Sequence, residues 1–465
     1  METKTTKKVS RRDFMRLAGV TTVGLLATAC GGGAAQPAAE PQVVEKIVEK
    51  EKVVEKEVVV TATPPPEAAV DIIATTQMPI NTFDSTVDRS KTQLNNINLK
   101  VTQTQISDIG WSGYSDLILT QIAGGEQLDV IMIAVEGIGL LGAKNVLRPL
   151  NDFFDADPAA QAVLDKDVHP LLLEMLQYQG KQLEYPFSWN NMVTYYNTAI
   201  FEEEGLDPPA KDWSWDDFLE TCLKVAKVTG GADDRFAYSF WGGSMFGMHA
   251  WFFTNDTSVF TEGWVDSNLN DPKAAETVQF LADLILKHKV APNPAGWDEW
   301  PQFHAGHLVM RTCGRWCIGG SLKEGFETYD LQYQPFNAGS TRTVAGTDGW
   351  GIANVSQNPD AAWEAVKILS DTESSLAMVR LGGNIPALRS VAEMPEFAEF
   401  GPPNTAIFYE TLDFAKTVPS PPNFNIVEPI MNRHLSTIWN GERSVEEALA
   451  DAHTEIQAEM DKIKK

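Results

Sequence analysis

The sequence has few basic residues for its length and no long apolar segment. Lys and Arg together number 37 against 63 Asp and Glu, so the formal net charge is −26. A surface this acidic repels nucleic-acid phosphates and anionic lipid headgroups, which argues against nucleic-acid binding. The apolar run near the N-terminus, residues 17–29, is shorter than the ~20 residues of a membrane-spanning helix. With 43% apolar and 22% charged residues, the chain is not a multi-span membrane protein, a disordered chain or a collagen.

Motifs for catalysis and for metal binding are also missing. Residues 242–246 begin like a Gly-x-Ser-x-Gly nucleophile elbow but lack its final glycine. His304 and His307 could share a helix face, but no carboxylate or cysteine pattern accompanies them, so we interpret them as a solvated helix face. No glycine-rich loop with a lysine is present to hold phosphates. We therefore predict no catalytic residue, no metal and no cofactor.

Residues 1–29 have the organisation of an export signal, in which a basic stretch precedes the apolar run. Residues 10–15, SRRDFM, resemble the twin-arginine motif of proteins that are exported already folded. Residues 26–30, LATAC, resemble a bacterial lipoprotein box, although Ala27 stands where leucine is commoner. Cys30 would then be lipidated and would hold an otherwise soluble domain at the outer face of the membrane. A plain cleaved signal with an incidental cysteine is the alternative.

Residues 30–69 are predicted to be a lipid-anchored flexible linker. Glycines follow Cys30, three prolines stand at 64–66, and a four-residue Val-Glu-Lys pattern runs between them. A four-residue period drifts around a helix, so a stable coiled coil is not expected. A solvated spacer is the first interpretation, and a helical self-association stalk is the second.

Cys313 and Cys317 flank the tripeptide Gly314-Arg315-Trp316. They could form a disulfide if the loop folds back. A chain that folds in a reducing cytoplasm before export has little opportunity to form one, however. The sequence leaves this pairing open.

From residue 70 onward, short apolar runs alternate with helical patterns. Strands are predicted over residues 70–74, 99–103 and 128–133, with a helix over 114–123. Alternation at this spacing favours a parallel sheet flanked by helices, which binds ligands at the carboxyl ends of its strands. Asp271-Pro272 and Asn358-Pro359 each predict a helix start, with a polar cap and a proline in the first turn.

The order of short motifs resembles the extracellular solute-binding proteins of family 1, the sugar-capturing lipoproteins of ABC importers. The motifs are AGGEQLDV (123–130), LRPL (147–150), GKQ (180–182), YPF (185–187), YYNTAIFEEEGL (195–206), WSWDDF (213–218), FHAGHLVM (303–310) and NIP (384–386). Leu128 replaces the usual proline, and His307 replaces the usual lysine. The resemblance spans roughly residues 70–390.

This resemblance implies an α/β, two-lobed periplasmic-binding-protein fold of type II, with a sheet flanked by helices in each lobe and a ligand cleft between the lobes. The chain is expected to cross between lobes near Phe187, near residues 338–344 and near Pro402. The expected segments are 70–187 and 338–401 in lobe 1 and 188–337 and 402–465 in lobe 2.

The resemblance also implies a function without catalysis: a monomeric, extracytoplasmic receptor that captures a sugar or oligosaccharide and delivers it to the permease subunits of an ABC importer. Two alternatives stay open. One is an extracellular carbohydrate-active enzyme, which needs a pair of carboxylates across a sugar cleft. The other is a binding protein for a cationic solute that is not a sugar, which the acidic composition would tolerate.

Residues that could hold a sugar were sought among 13 tryptophans and the polar residues of loops. Indole faces cover the apolar face of a sugar ring, and polar side chains bind its hydroxyls. Tryptophans in helices are assigned to core packing. Those at strand ends or in glycine-rich loops are predicted ligand contacts: Trp111, Trp189, Trp241, Trp316 and Trp350. The predicted polar contacts are Glu136, Asn190, Arg315 and Asp348.

Overall fold

The computed structural model describes residues 69–104, 110–231, 233–338 and 343–464, and the backbone of Val43–Lys46 and Glu57–Val60. The predicted export signal, Cys30 and most of the predicted linker lie outside the described residues. The chain divides into two units, Met1–Glu67 and Ala68–Lys465. No helix of the described part combines the length and the apolar character needed to cross a membrane.

In the first unit, strands β1 (Val43–Lys46) and β2 (Glu57–Val60) pair antiparallel, with Val43 opposite Val60. The backbone of these eight residues is therefore extended. The Val-Glu-Lys pattern is not helical at these positions, contrary to the second interpretation of the linker.

The second unit is a mixed α/β structure. Its strands are β3 (Val70–Thr76), β4 (Ile97–Gln103), β5 (Val130–Ala134), β6 (Leu147–Arg148), β7 (Gln177–Tyr178), β8 (Lys181–Gln182), β9 (Tyr185–Asn191), β10 (Val193–Asn197), β11 (Phe236–Ser239), β12 (Leu308–Cys313), β13 (Tyr329–Gln332), β14 (Val344–Ala353), β15 (Ile385–Pro386) and β16 (Lys416–Thr417). Its α-helices are α1 (Asp84–Gln93), α2 (Gly110–Ala123), α3 (Val135–Ala143), α4 (Asn151–Ala156), α5 (Pro158–Asp167), α6 (Pro170–Met175), α7 (Thr198–Glu203), α8 (Trp215–Val225), α9 (Met245–Phe252), α10 (Pro272–Leu286), α11 (Glu299–His304), α12 (Ile318–Glu324), α13 (Pro359–Leu369), α14 (Thr372–Arg380), α15 (Arg389–Ala392), α16 (Pro395–Glu399), α17 (Ile407–Glu410), α18 (Phe424–Trp439) and α19 (Val445–Ile463).

The larger sheet has the strand order β15-β9-β14-β5-β3-β4, and β6 and β16 pair with β14 outside this path. Strand β3 is parallel to both β4 and β5, which confirms the parallel pairing predicted for the first three strands. Strand β14 is antiparallel to β5 and β9. Every residue of β5 is buried, as expected for a strand covered on both faces.

The smaller sheet has the order β11-β12-β10-β13. The chain leaves the larger sheet at the end of β9 and enters the smaller one at Val193, so the change of sheet falls at Met192. It returns to the larger sheet between β13 and β14. A last short strand, β16, pairs with the start of β14 before helices α18 and α19 complete the chain.

The starts of helices α10 and α13 can be compared with the predicted capping signals, a polar cap residue followed by a proline. Asp271 caps α10 by accepting from the backbone N–H of Lys273 at 3.0 Å, as predicted, and Val278 and Leu281 are buried on the inner face. Helix α13 also begins at the predicted proline, but Asn358 makes no side-chain cap hydrogen bond. The cap prediction is therefore wrong at Asn358, where the proline alone marks the start.

Candidate functional site

Three elements meet around the aromatic ring of Phe246. Gly346 in β14 allows this approach, because a Cβ atom there would lie 2.9 Å from the ring of Phe246 and 3.4 Å from Cγ1 of Val135. Val135 begins α3 directly after β5, and Phe246 lies in the first turn of α9. The meeting point is thus at the carboxyl end of β5, where a parallel sheet is expected to bind ligands.

Three elements, α3, β14 and α18, bring a carboxyl group to the meeting point. Glu136 follows Val135 and is 4% exposed. Asp348, also 4% exposed, lies on the same face of β14 as Gly346, because side chains alternate along a strand. Half-buried Glu428 of α18 accepts from the backbone N–H of Met245 at 3.0 Å.

The hydrogen bonds that these carboxyl groups accept come from uncharged groups, and one of the carboxyl oxygens has no partner. The hydroxyl of Ser188 and the amide of Asn384 donate to Asp348 at 2.6 and 3.1 Å. The hydroxyl of Ser112 donates to Glu428 at 2.5 Å. Oε2 of Glu136 is buried without a hydrogen-bond partner.

Burial makes the carboxyl groups poor acids. It raises the pKa of Glu136 to about 8, with a further rise from the negative charges of Glu428 and Asp348. Burial raises the pKa of Asp348 to about 7, against the lowering effect of its hydrogen bonds to Ser188 and Asn384. Burial also raises the pKa of Glu428. Glu136 and Asp348 therefore hold protons close to neutral pH.

Raising the pH from 5 to 7 is expected to destabilise the unliganded protein, in part through Glu136. The folded state keeps this proton up to about pH 8, whereas the unfolded chain releases it near the ordinary value of 4.5. Each pH unit within this window should then lower the free energy of unfolding by up to about 1.4 kcal/mol for this group. Glu136→Gln cannot ionise and should flatten the slope by about that amount.

Chemical denaturation at pH 5, 6 and 7 measures this slope. Glu126→Gln removes an exposed carboxylate and serves as the matched control, with the wild-type slope expected. A Glu136→Gln slope equal to that of the control would contradict the raised pKa.

Two indole rings form an aromatic wall beside Phe246. The ring centroids of Trp241 and Trp316 are 5.3 Å apart, and Trp316 lies 6.2 Å from Phe246. The Nε1 group of Trp241 donates to Glu299 at 2.9 Å, and Ser239 donates to the other carboxylate oxygen at 2.8 Å. Glu299 thereby fixes the orientation of Trp241. Both tryptophans remain half-buried, so part of each ring is accessible.

The loop that carries Trp316 is closed by a disulfide. Cys313 and Cys317 are bonded, with Cα atoms 6.3 Å apart, so the structure resolves a pairing that the sequence leaves open. An alanine Cβ at Gly314 would overlap the ring of Trp316. The disulfide and the glycine together restrict where the indole can lie.

The side chain of Arg315, in the same loop, binds backbone carbonyl groups and does not line an open site. Its fully buried guanidinium donates to the carbonyl oxygens of Gly383 at 2.6 Å and Phe400 at 3.1 Å. It also approaches the carbonyls of Val379 and Asn384 at 3.4 Å. The side chain thus ties the loop to the segment that follows α14.

The structure brings five of the nine predicted contacts together: Glu136, Asn190, Trp241, Trp316 and Asp348. Asn190 stands opposite Gly346 in the pairing of β9 with β14, so both residues share one face of the sheet. Trp111 lies beside this group, because it precedes Ser112, the donor to Glu428.

Trp189 and Trp350 are not brought to the meeting point. Trp189 alternates with Asn190 along β9, is fully buried and packs edge-on against Tyr409 at 5.9 Å. Trp350 lies two residues deeper in β14 than Asp348. It is fully buried, with its ring 5.3 Å from Phe83. Arg315 likewise binds carbonyl groups. Trp189, Trp350 and Arg315 were predicted to contact the ligand, and in the structure they stabilise the fold.

Sequence reasoning missed several residues of the site: Ser112, Phe246, Glu299, Asn384 and Glu428. Asn384 opens the late motif NIP and could have been found there. Glu428 lies within a helix and has no local signal, because only the packing of α18 brings it to the N-terminus of α9.

The chain is similar to known proteins over most of its length. A family model described as bacterial extracellular solute-binding protein matches residues 92–374. The sn-glycerol-3-phosphate-binding periplasmic protein of Pectobacterium atrosepticum is 22% identical over 298 residues, which are 59% of this chain and 65% of that protein.

Solved structures share the fold. The ABC substrate-binding protein of Listeria monocytogenes in complex with cycloalternan has a TM-score of 0.75 and 22% identity, covering 85% of this chain and 99% of that one. A solute-binding protein of Thermotoga lettingae bound with α-D-tagatose has a TM-score of 0.72 and 20% identity, covering 85% and 100%. The fold is that of two-lobed type II periplasmic binding proteins, with the ligand cleft between the lobes. Because the family model matches more than half of the sequence, this chain belongs to the family of bacterial extracellular solute-binding proteins.

Proposed function

We propose that this protein is the receptor of an ABC importer and captures a saccharide between its two lobes. The observation that carries the proposal is the meeting of half-buried indoles with buried polar side chains at one point of the fold. Trp241 and Trp316 would cover the apolar face of a sugar ring, and Glu136, Asn190 and Asp348 would bind its hydroxyls. The structural relatives named with cycloalternan and tagatose support a saccharide.

A phosphorylated solute is less suited to this site. The Pectobacterium relative is named for sn-glycerol 3-phosphate, which is an anion. In this chain Glu136 and Asp348 are buried at the meeting point, and Glu428 is beside them. Phosphate binds best to cationic side chains and backbone N–H groups, whereas here it would meet carboxyl groups.

Closure would turn about the places where the chain changes sheet. Thr343, at the start of β14, donates to the carbonyl of Met192 at 2.6 Å and accepts from its N–H at 3.2 Å. The contact between Thr343 and Met192 joins the first two points at which the chain changes sheet. Strand β16, beside the start of β14, would supply the third. We place the lobe boundaries here. Met192 is a few residues after the expected crossing near Phe187, Thr343 lies within the expected range 338–344, and β16 comes later than Pro402. Ligand binding must favour the closed state to produce a signal.

A carbohydrate-active enzyme is not favoured by the carboxyl groups. A glycosidase needs two carboxyl groups with pKa values pushed apart, one protonated and one ionised. Here burial raises the pKa of both Glu136, to about 8, and Asp348, to about 7. A binding role requires no such separation.

The remaining parts of the proposal concern location and assembly. Export through the twin-arginine signal, lipidation of Cys30 and attachment to the outer face of the membrane are proposed from the sequence alone. The receptor would act as a monomer and present its closed form to the permease subunits.

Tryptophan fluorescence titrated with a panel of monosaccharides and oligosaccharides tests the function, followed by analysis of the sugar after incubation. We expect a saturable change with at least one saccharide, which is recovered intact. Release of a smaller sugar would contradict the receptor and support the enzyme. The absence of any saturable change would contradict saccharide binding.

A further inference from the structure

Within the part of the chain that the structure describes, the carboxyl groups at the meeting point have no cationic partner. Among the described residues, the hydrogen bonds of Asp348 come from Ser188 and Asn384, and Glu428 is bonded by Ser112 and a backbone N–H. None of the ion pairs in this part of the chain involves Glu136, Asp348 or Glu428.

Two fully buried guanidinium groups, Arg311 of β12 and Arg315 of the loop that follows it, have other surroundings, and the nitrogen atoms of Arg311 have no hydrogen-bond partner among the described residues. Arg315 donates to backbone carbonyls after α14. Arg311 is fully buried among the rings of Tyr195, Trp300 and Phe303, which lie 4.6–5.4 Å from its Cζ atom. Neither arginine therefore forms an ion pair with Glu136, Asp348 or Glu428.

A second observation, from a different element, points to a missing donor. Asn190 of β9 is 8% exposed, and its Oδ1 atom is buried without a partner. It shares the sheet face of Gly346, which Phe246 and Val135 approach. Oε2 of Glu136, next to Val135, also lacks a donor. A buried acceptor without a donor is destabilising, so a ligand that brings N–H groups here gains affinity.

On the basis of the proposed function, we propose that the saccharide carries a protonated amine, and that this ammonium group binds Glu136 and Asn190. The sugar ring beside it would lie against Trp241 and Trp316. A neutral sugar also supplies donors, but a cation in addition lowers the pKa of the carboxyl group that it contacts. Glu136, protonated near neutral pH without a ligand, would then ionise and pair with the ammonium group. A metal ion does not fit, since no three His, Cys, Asp or Glu side chains of the described residues lie close enough to hold one.

Calorimetric titration at pH 7 with matched saccharide pairs tests the inference. The pairs are glucosamine and glucose, and the β-1,4-linked glucosamine disaccharide and cellobiose. In at least one pair we expect the amine to bind at least tenfold more tightly than its neutral counterpart. Glu136→Gln should remove this preference, and Glu126→Gln, which changes an exposed carboxylate, should retain it. Asp348→Asn provides a second variant and should weaken the preference.

The outcomes separate this inference from the proposed function. Neutral members that bind as tightly as their amine counterparts, or more tightly, overturn the inference and leave the saccharide receptor intact. An amine preference that survives Glu136→Gln overturns the assigned place of the ammonium group. If no member of any pair binds, saccharide binding itself is contradicted, and the inference fails with it.

Discussion

Replacing Arg315 with methionine is expected to lower the free energy of unfolding by about 4 kcal/mol. The guanidinium is fully buried and donates to the carbonyls of Gly383 and Phe400, with the carbonyls of Val379 and Asn384 at its edge. Methionine has a similar apolar length but no donor, so these carbonyls would lose their partner inside the protein. The loop that carries Trp316 would also lose its tie to the segment after α14.

Unfolding in urea measures this effect, with Arg389→Met as the matched control. Arg389 is exposed and, within the described part of the chain, pairs with Glu393 one turn away, so its replacement should change the free energy of unfolding by less than about 0.5 kcal/mol. Equal unfolding midpoints for the two variants would show that the buried guanidinium is not a structural tie.

Replacing Trp316 with alanine is expected to weaken saccharide binding at least 100-fold, or about 2.7 kcal/mol. A tryptophan ring contributes a large apolar contact, and Trp316 is the ring that joins Trp241 to Phe246. Trp297→Ala is the matched control, because this half-buried ring packs on Phe236, outside the wall. Its affinity should match that of the wild type.

Gly314→Ala gives an independent test of the same ring. The added methyl group would overlap the Trp316 indole without altering its chemistry, so we expect a loss of affinity smaller than that of Trp316→Ala. Calorimetry with the tightest saccharide of the panel measures all three variants. Wild-type affinity in Trp316→Ala would remove the aromatic wall from the binding site.

Local patterns predicted the first elements of the fold and one residue of the site, and the family resemblance implied the two-lobed architecture. The first strands and the helix over 114–123 follow from apolar runs and their spacing, and Glu136 follows from its position after the third strand. Motif order supplied the family. These signals are local in the sequence, and each is read without knowledge of strand pairing.

The predicted contacts that lie away from the meeting point are those whose position depends on strand pairing or on distant packing. Whether Trp189 or Asn190 faces the site depends on the alternation of β9, and a shift of one residue exchanges them. Trp350 and Asp348 lie on the same face of β14, but Trp350 lies two residues further into the strand. The partners of Arg315 lie 64–85 residues away. No local pattern distinguishes such a residue from an exposed ligand contact.

The disulfide illustrates a different limit. The spacing of Cys313 and Cys317 allows a bond, and the predicted folding compartment argued against it. In the structure Gly314 and the short helical turn Arg315–Cys317 bring the two cysteines together. Geometry therefore permits the bond, and export to an oxidising compartment would allow it to form after folding.

The most direct test of the account is a crystal structure of the protein with the tightest saccharide from the panel. We predict that the sugar lies between the indoles of Trp241 and Trp316 and the side chains of Glu136, Asn190 and Asp348, with Glu428 at the edge of the site. A saccharide bound elsewhere on the protein, with these side chains unchanged and in contact only with one another, would contradict it.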